Sequence, residues 1–330
     1  MYEQKHHYKA LENLSVLITG GAGFIGSNIV EYLLKSGVKK VVVLDNLLTG
    51  FIENTEIFKD FPNYDFIHGD ITDLDTCRKA CEGIDIICHQ AALGSVPRSV
   101  AYPEATTKHN IDGFVNMVVA AREKGIKRFV YASSSSVYGD EPNLPKVEHR
   151  IGKPLSPYAI SKYTNELFAQ NFGVLYGMEF IGFRYFNVFG PRQSPKGVYA
   201  AVIPLFVDAC MTMKPAFING DGLQTRDFTF VENVVQINVK AMTTDNENAY
   251  NQVYNVGCGS KYTVLDLFNY IKEFTDSALM PSFRAEREGD IRNSLADITK
   301  AQTLLGYDPA FSLKDGLKIT TEFFKNQVFV

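Results

Sequence analysis

An α/β fold, a mainly parallel sheet between layers of helices, is what this chain of 330 residues predicts. Three observations carry that reading. Short β-branched runs alternate with longer amphipathic segments through the first half, the pattern of strands joined by crossover helices. A glycine-rich turn, "LITGGAGFIGS", separates the first strand from the first helix. The second strand ends on an acidic residue, Asp45, nineteen residues beyond Gly26.

Strands are expected in "LSVLIT" (14–19), "VVVLD" (41–45), "YDFIHG" (64–69), "IDIICHQ" (84–90), "RFVYAS" (128–133) and "EFIGFRY" (179–185). Helices fall between them, near 24–36, 75–82, 104–124 and 157–176. Beyond residue 187 the pattern loosens into "GPRQSPKG", "NGDGLQTRD" and "REGDIR". Loops of this kind, rich in Gly, Pro and charge, carry binding residues on a rigid scaffold. The expected division is residues 1–187 as one domain, to which a segment near 226–256 returns, and residues 188–330 mainly as a smaller C-terminal α/β domain. The acidic "TTDNENAYNQ" (244–252) reads as a solvated loop.

Composition narrows the function classes. With 45% hydrophobic residues and a formal charge of -4 the chain can bury a large core, and no block of one charge suits it to nucleic acid. No apolar run reaches the eighteen residues a bilayer span needs. The N-terminus, "MYEQKHHYKALENL", has neither an apolar centre nor a small-residue cleavage site, so a cytoplasmic protein is expected. Five cysteines with no C-x-x-C pair predict reduced thiols rather than disulfides or a metal site. His89 and the pair at 6–7 lack partners at metal spacing and read as structural or incidental.

Gly20, Gly23 and Gly26 stand where a chain must turn sharply, let a pyrophosphate approach its backbone and pack a helix tightly on a strand. The helix they open, beginning at Phe24 and Ile25, offers free N–H groups to phosphate. Asp45, with Asn46 beside it, is placed to accept hydrogen bonds from an adenosine ribose. No Arg or Lys follows before Lys59, which favours NAD over its 2′-phosphorylated form. "HGDITD" puts Asp70 and Ile71 at the adenine edge. The fold is thus expected to be Rossmann-type and doubly wound.

In "SPYAISK", Ser156 can cap a helix and Pro157 can occupy its first turn. Tyr158 and Lys162 then lie at i and i+4 on one face. A phenol has a reference pKa near 10, so service as a base at neutral pH needs a fall of about three units, roughly 4 kcal/mol. One cation about 4 Å away supplies roughly that at an effective dielectric near 20. Lys162, helped by an oxidised nicotinamide, is expected to provide it. A serine from "YASSSSVYG" would bridge the phenol and a substrate hydroxyl.

With these motifs the chain resembles the extended short-chain dehydrogenase/reductase family, from about residue 14 to about 320. "HQAA" (89–92), Asn110, "RYFNVFGP" (184–191), "TRDFTFVENV" (225–234) and "REGDIRNSLADITKA" (287–301) further match its nucleotide-sugar branch. The resemblance implies Tyr158 as base, Lys162 as its electrostatic partner and ribose anchor, and Ser134 as the hydroxyl of the triad. It implies that Gln90, Ala91, Ala92, Asn110, Tyr185 and Val188 complete the NAD site. Dehydratases of that branch carry an Asp-Glu pair after the serine, and decarboxylases a glutamate at its second position; here stand Ser135 and Ser136. That points to 4-epimerisation, needing only hydride and one proton.

For the sugar nucleotide the resemblance implies Asn187, Arg226 and Arg287 at the diphosphate, Asp290 nearby, and Phe217 and Asn219 near a uracil. Guanidinium suits phosphate through bidentate hydrogen bonds. Ser294 holds the position bordering the hexose 2-substituent, where a serine leaves room for an N-acetyl group. Gly94, Ser95, Gln193, Ala201 and Val202 lie in stretches that resemble the subgroup acting on UDP-N-acetylglucosamine, and Ser135 is expected to touch the substrate beside Ser134. UDP-glucose and UDP-uronic acids are the alternatives, with Arg98 and Arg292 as partners for a uronate carboxylate, and a non-catalytic NAD-binding regulator is a more distant one. The helices near 104–124 and 157–176 pair relatives into homodimers, so a homodimer is expected too.

Overall fold

Strand formation follows the β-branched runs. In the computed structural model, which describes residues 1–196, 200–286 and 292–328, six strands fall within two residues of those expected. They are β1 (Ser15–Thr19), β2 (Lys40–Asp45), β3 (Tyr64–His68), β4 (Ile86–His89), β5 (Arg128–Ser134) and β6 (Glu179–Tyr185). A seventh, β7 (Gln252–Val256), adds to β6 at the sheet edge. Its five residues follow the polar run 244–252 and give no clear period, so no strand is expected there from the sequence alone. The order is β7-β6-β5-β4-β1-β2-β3, every pair parallel.

Such a sheet must be covered on both faces, which is why β1 is buried at every residue. On one face α1 (Phe24–Lys35) packs Ile29 and Leu33 against Val16 and Ile18, joined by Val234 and Ile237 of a helix at Val231–Thr243. On the other, α2 (Leu74–Ala80), α3 (Gly113–Glu123) and α4 (Pro157–Tyr176) enclose Leu17, Ile87, Phe129 and Phe180. The segment expected as one helix over 104–124 is broken. Pro103–Thr107 gives way to a π-helical turn at Lys108–Asp112 before α3 begins. Such bulges recur at functional sites, and this one contains Asn110.

A third cluster forms around Ile203, Phe206, Leu267, Phe268 and Leu313, on the helices Val202–Thr212, Val264–Phe274 and Leu313–Val328. Three two-stranded pairs accompany it, among them Phe217–Asn219 with Ser282–Arg284 and Thr225–Arg226 with Tyr262–Thr263. The polar N-terminus is not merely a leader: Tyr2 and His6 are buried, and the His6 ring stacks on Tyr32 of α1.

Candidate active site

The order in which strands are added reverses between β1 and β4, all strands staying parallel, which opens a crevice at their carboxyl ends. A cleft of about 310 Å³ occupies it, running from the glycine turn to Tyr158, Lys162 and Tyr185. Gly20 takes φ +72, and a Cβ there would lie 2.7 Å from the Ala91 nitrogen. A Cβ on Gly26 would run into the Gly20 carbonyl. The turn is therefore bare backbone opening onto a helix N-terminus, which fits a pyrophosphate. Asp45 accepts hydrogen bonds from Ala22 N and Leu47 N, both 2.9 Å, so its carboxylate is fixed at the cleft wall, and burial raises its pKa.

Gly20, Gly23, Phe24, Ile25, Gly26, Asp45, Asn46, Ile71, Gln90, Ala91, Ala92 and Tyr185 all line this cleft. Three residues expected at the cofactor stand otherwise. Asp70 accepts from the Asn46 amide at 2.8 Å and from Thr72 N, so it braces Asn46. Asn110 is buried; it accepts from Leu93 N at 2.8 Å and donates to Leu93 O and to Ser161 Oγ at 3.0 Å. It thus ties the chain after β4 to α4, between Tyr158 and Lys162. Val188 pairs with Thr229 in a short strand. The lining also includes Leu48, Thr49, Gly50 and His109, which no sequence motif marks.

Ser156 caps α4 as expected, its Oγ accepting from Ala159 N at 3.1 Å. Lys162 is 2% exposed and donates to the Ala132 carbonyl at 2.8 Å. Burial lowers its pKa to about 8, against the opposing charge of Glu166. Ser134 lies close enough to Tyr158 to oppose the upward pull of burial on the phenol. Ser136 Oγ donates to Ser134 Oγ at 2.9 Å, which leaves the Ser134 proton free to donate to a phenolate.

One expectation is corrected here. The phenol is not lowered in the protein alone: burial raises its pKa, and the group opposing this is Ser134 rather than Lys162. The reason is desolvation of the phenolate in a cleft whose ammonium is itself desolvated and turned toward a backbone carbonyl.

Several supports lie behind the cleft, and the first of them, Asn238, falls outside every motif. Asn238 donates to Tyr185 Oη at 2.8 Å and accepts from Gln90 at 3.2 Å, linking two lining residues beneath the cleft. Asp227 is fully buried and accepts from Cys258 N, Gly259 N and Ala296 N. Burial pushes its pKa up to about 6 while those N–H groups oppose the rise. His89 bonds Thr19 Oγ1 at 2.9 Å, packs on Phe114 and Phe129, and burial lowers its pKa to about 3, in keeping with a structural role.

The residues expected at the sugar nucleotide are dispersed along loops. Gly94 lines the cleft, and Ser95 caps a short helix by accepting from Arg98 N. Ser135 opens a short helical turn beside Ser134. Asn187 donates to Asp227 O at 3.1 Å, and Gln193 donates to Val188 O at 3.0 Å. Ala201 and Val202 begin the helix Val202–Thr212. Arg284, which no motif marks, lies over the half-exposed Phe217 ring and bonds Asn219. Arg226 donates to Thr225 O and Arg292 O. Ser294 N donates to Thr225 O, which brings Ser294 beside the Arg226 strand. Arg292 pairs with Asp221 at 2.7 Å and Glu286 at 3.1 Å. Arg287 and Asp290 lie outside the described residues.

A nucleotide crevice lined by a tyrosine and a buried lysine one helical turn apart, with a neighbouring serine, defines a Rossmann-type NAD-dependent enzyme of the short-chain dehydrogenase/reductase kind. The chain belongs to the NAD dependent epimerase/dehydratase family, whose model matches residues 16–257, so the resemblance is borne out and the cofactor is NAD. It is 36% identical to a UDP-glucose 4-epimerase of Mycolicibacterium smegmatis over 95% of this chain and 99% of that one. Among solved structures it is 38% identical to a UDP-N-acetylglucosamine 4-epimerase of Methanobrevibacter ruminantium in complex with UDP-N-acetylmuramic acid, with a TM-score of 0.90 over 95% and 99% of the two chains. A UDP-glucuronic acid 4-epimerase of Bacillus cereus, in complex with UDP-glucuronic acid and NAD, is 30% identical with a TM-score of 0.88 over 95% and 100%. Among the described residues no helix is long and apolar enough to cross a membrane.

Proposed function

We propose that the protein interconverts UDP-N-acetylglucosamine and UDP-N-acetylgalactosamine by 4-epimerisation, as an isomerase. The observation that supports the reaction type is the pair of hydroxyls, Ser135 and Ser136, directly after Ser134, where loss of water or carbon dioxide would call for carboxylates. Bound NAD supplies the acceptor for the C4 hydride and returns it. Tyr158 takes the O4 proton, Ser134 orients that hydroxyl and donates to the phenolate, and Lys162 contributes positive charge. The resulting 4-keto sugar turns over and receives the hydride on its other face, and Tyr158 returns the proton. Asn187, Arg226, Arg287 and Asp290 are assigned to the diphosphate side and Phe217 and Asn219 to the uracil. This reading gives residues 1–187, with the return near 226–256, to NAD and most of 188–330 to the sugar nucleotide.

Ser294 favours the N-acetylated sugar because its short side chain leaves space a larger one would fill. The uronate alternative loses one support, since Arg292 is already paired with two carboxylates. Kinetics on UDP-N-acetylglucosamine and UDP-glucose test this. The expected result is a higher kcat/KM for the N-acetylated sugar, and Ser294→Tyr should reduce it by roughly tenfold. Equal or faster turnover of UDP-glucose by the unaltered enzyme overturns the substrate assignment.

A homodimer through α4 and its neighbours belongs to the same proposal. Ile160, Leu167, Val174 and Leu175 form an exposed apolar row on α4, with Val100 and Tyr102 exposed on the segment before α3. Patches of this kind mark association surfaces. Light scattering should give twice the 36.9 kDa chain mass, and a monomer at micromolar concentration would count against it. The cytoplasm is the proposed compartment, where the buried thiols Cys77, Cys81, Cys88 and Cys210 stay reduced.

A further inference from the structure

Three consecutive residues at the end of β5 engage three successive turns of α4. Ser134 stands by Tyr158 and opposes the rise of its pKa, the Ala132 carbonyl accepts from Lys162 at 2.8 Å, and Ser133 Oγ donates to Glu166 Oε1. Glu166 is 5% exposed and takes two further hydrogen bonds from Arg184 of β6, from Nε at 2.9 Å and Nη2 at 2.7 Å. Arg184 is also buried and donates its remaining Nη1 bond to the Glu148 carbonyl at 3.0 Å. A buried ion pair of this kind is costly to desolvate and is retained where it specifies an arrangement.

We propose that Glu166, clamped by Arg184 and Ser133, is a positioning residue that supplies the counter-charge of the Lys162 ammonium and sets the register of α4 on β5. The inference rests on the functional reading only in so far as Lys162 serves the reaction.

Charge geometry supports the assignment. Lys162 is faced by Tyr158 and Glu166 on its own helix, by His89 of β4 and by the Ala132 carbonyl of β5. His89 is neutral when buried, so the Glu166 carboxylate is the anion available to the ammonium. Its i+4 spacing puts it one turn away on the same face. Glu166 is in turn faced by Arg184 of β6, Tyr131 of β5 and Lys300 of the helix Thr299–Leu305. Glu166 lies one helical turn from Lys162 and acts on its charge, whereas Arg184 is hydrogen-bonded to Glu166. Removing the two partners should therefore move Lys162 in opposite directions. Both partners also line a cavity of about 480 Å³ behind α4, which gives a substituted side chain room to relax.

The test is the titration of Lys162 in purified protein carrying its NAD, followed by ¹³C-lysine NMR, with the resonance assigned by its loss in Lys162→Met. In Glu166→Gln the midpoint should fall by about one unit or more, and Glu166→Asp should restore most of it. In Arg184→Gln, read below that variant's melting temperature, the midpoint should rise. In step with this, the alkaline limb of the kcat/KM profile should move to lower pH in Glu166→Gln. Midpoints that stay in place, or that move the same way in Glu166→Gln and Arg184→Gln, overturn the proposal, because a purely structural role predicts that result. If the unaltered protein turns over no UDP-sugar while the midpoints move as stated, the functional reading fails and the counter-charge role stands.

Discussion

Tyr158→Phe should lower turnover of UDP-N-acetylglucosamine by about 10²–10⁴-fold, the range expected when a positioned acid–base group is lost. The phenol stands by Ser134 and lines the cleft, and among the described residues no other hydroxyl of α4 lines it. NAD content should be unchanged, because the cradle around Gly20, Gly26 and Asp45 is made elsewhere. An anomeric-proton NMR time course gives the rate, and the absorbance of dinucleotide released on denaturation gives the occupancy. Unchanged turnover would remove Tyr158 from the mechanism. Loss of NAD together with activity would make the residue a cofactor anchor instead. A protein that only sensed NAD would pass both measurements unaffected.

The structure also explains why the rate should depend on the bound dinucleotide for more than hydride. Burial alone raises the phenol, and Lys162 is committed to Ala132 O in the protein by itself. An oxidised nicotinamide, when bound, would supply positive charge that favours the phenolate, with Ser134 and Lys162 assisting.

The largest stability effect is expected at the back of the same helix. Arg184→Leu leaves the Glu166 carboxylate buried without its cation and should cost about 3–5 kcal/mol. Arg184 and Glu166 are both buried and are joined by two hydrogen bonds, at 2.9 and 2.7 Å. The double variant Glu166→Leu with Arg184→Leu should recover much of the loss, because no lone charge remains inside. Denaturant unfolding of the three proteins checks this. A single variant within about 0.5 kcal/mol of the parent, the range of surface substitutions, would show that water already reaches the pair.

Much of the fold was legible because its signals are local. Six of the seven sheet strands are runs of β-branched and aromatic residues, and the glycine turn, the Ser156 cap and the Tyr158–Lys162 spacing depend on neighbours in sequence. Strand β7 was not legible because its place comes from pairing with β6, more than sixty residues earlier in the chain. The continuous helix expected over 104–124 failed for a comparable reason. Asn110 is drawn to Leu93 and Ser161, and the backbone yields a π-helical turn around it.

Residue type and spacing alone determined that this chain would form a nucleotide crevice and present a phenol one turn from an ammonium. Tertiary structure decided the electrostatics of those groups. The direction of the Tyr158 shift, the commitment of Lys162 to a carbonyl, and the company of Glu166, Arg184, Asn238 and Asp227 all arise from burial and from partners on other elements. Desolvation depends on what surrounds a group in space, and no one-dimensional spacing encodes that.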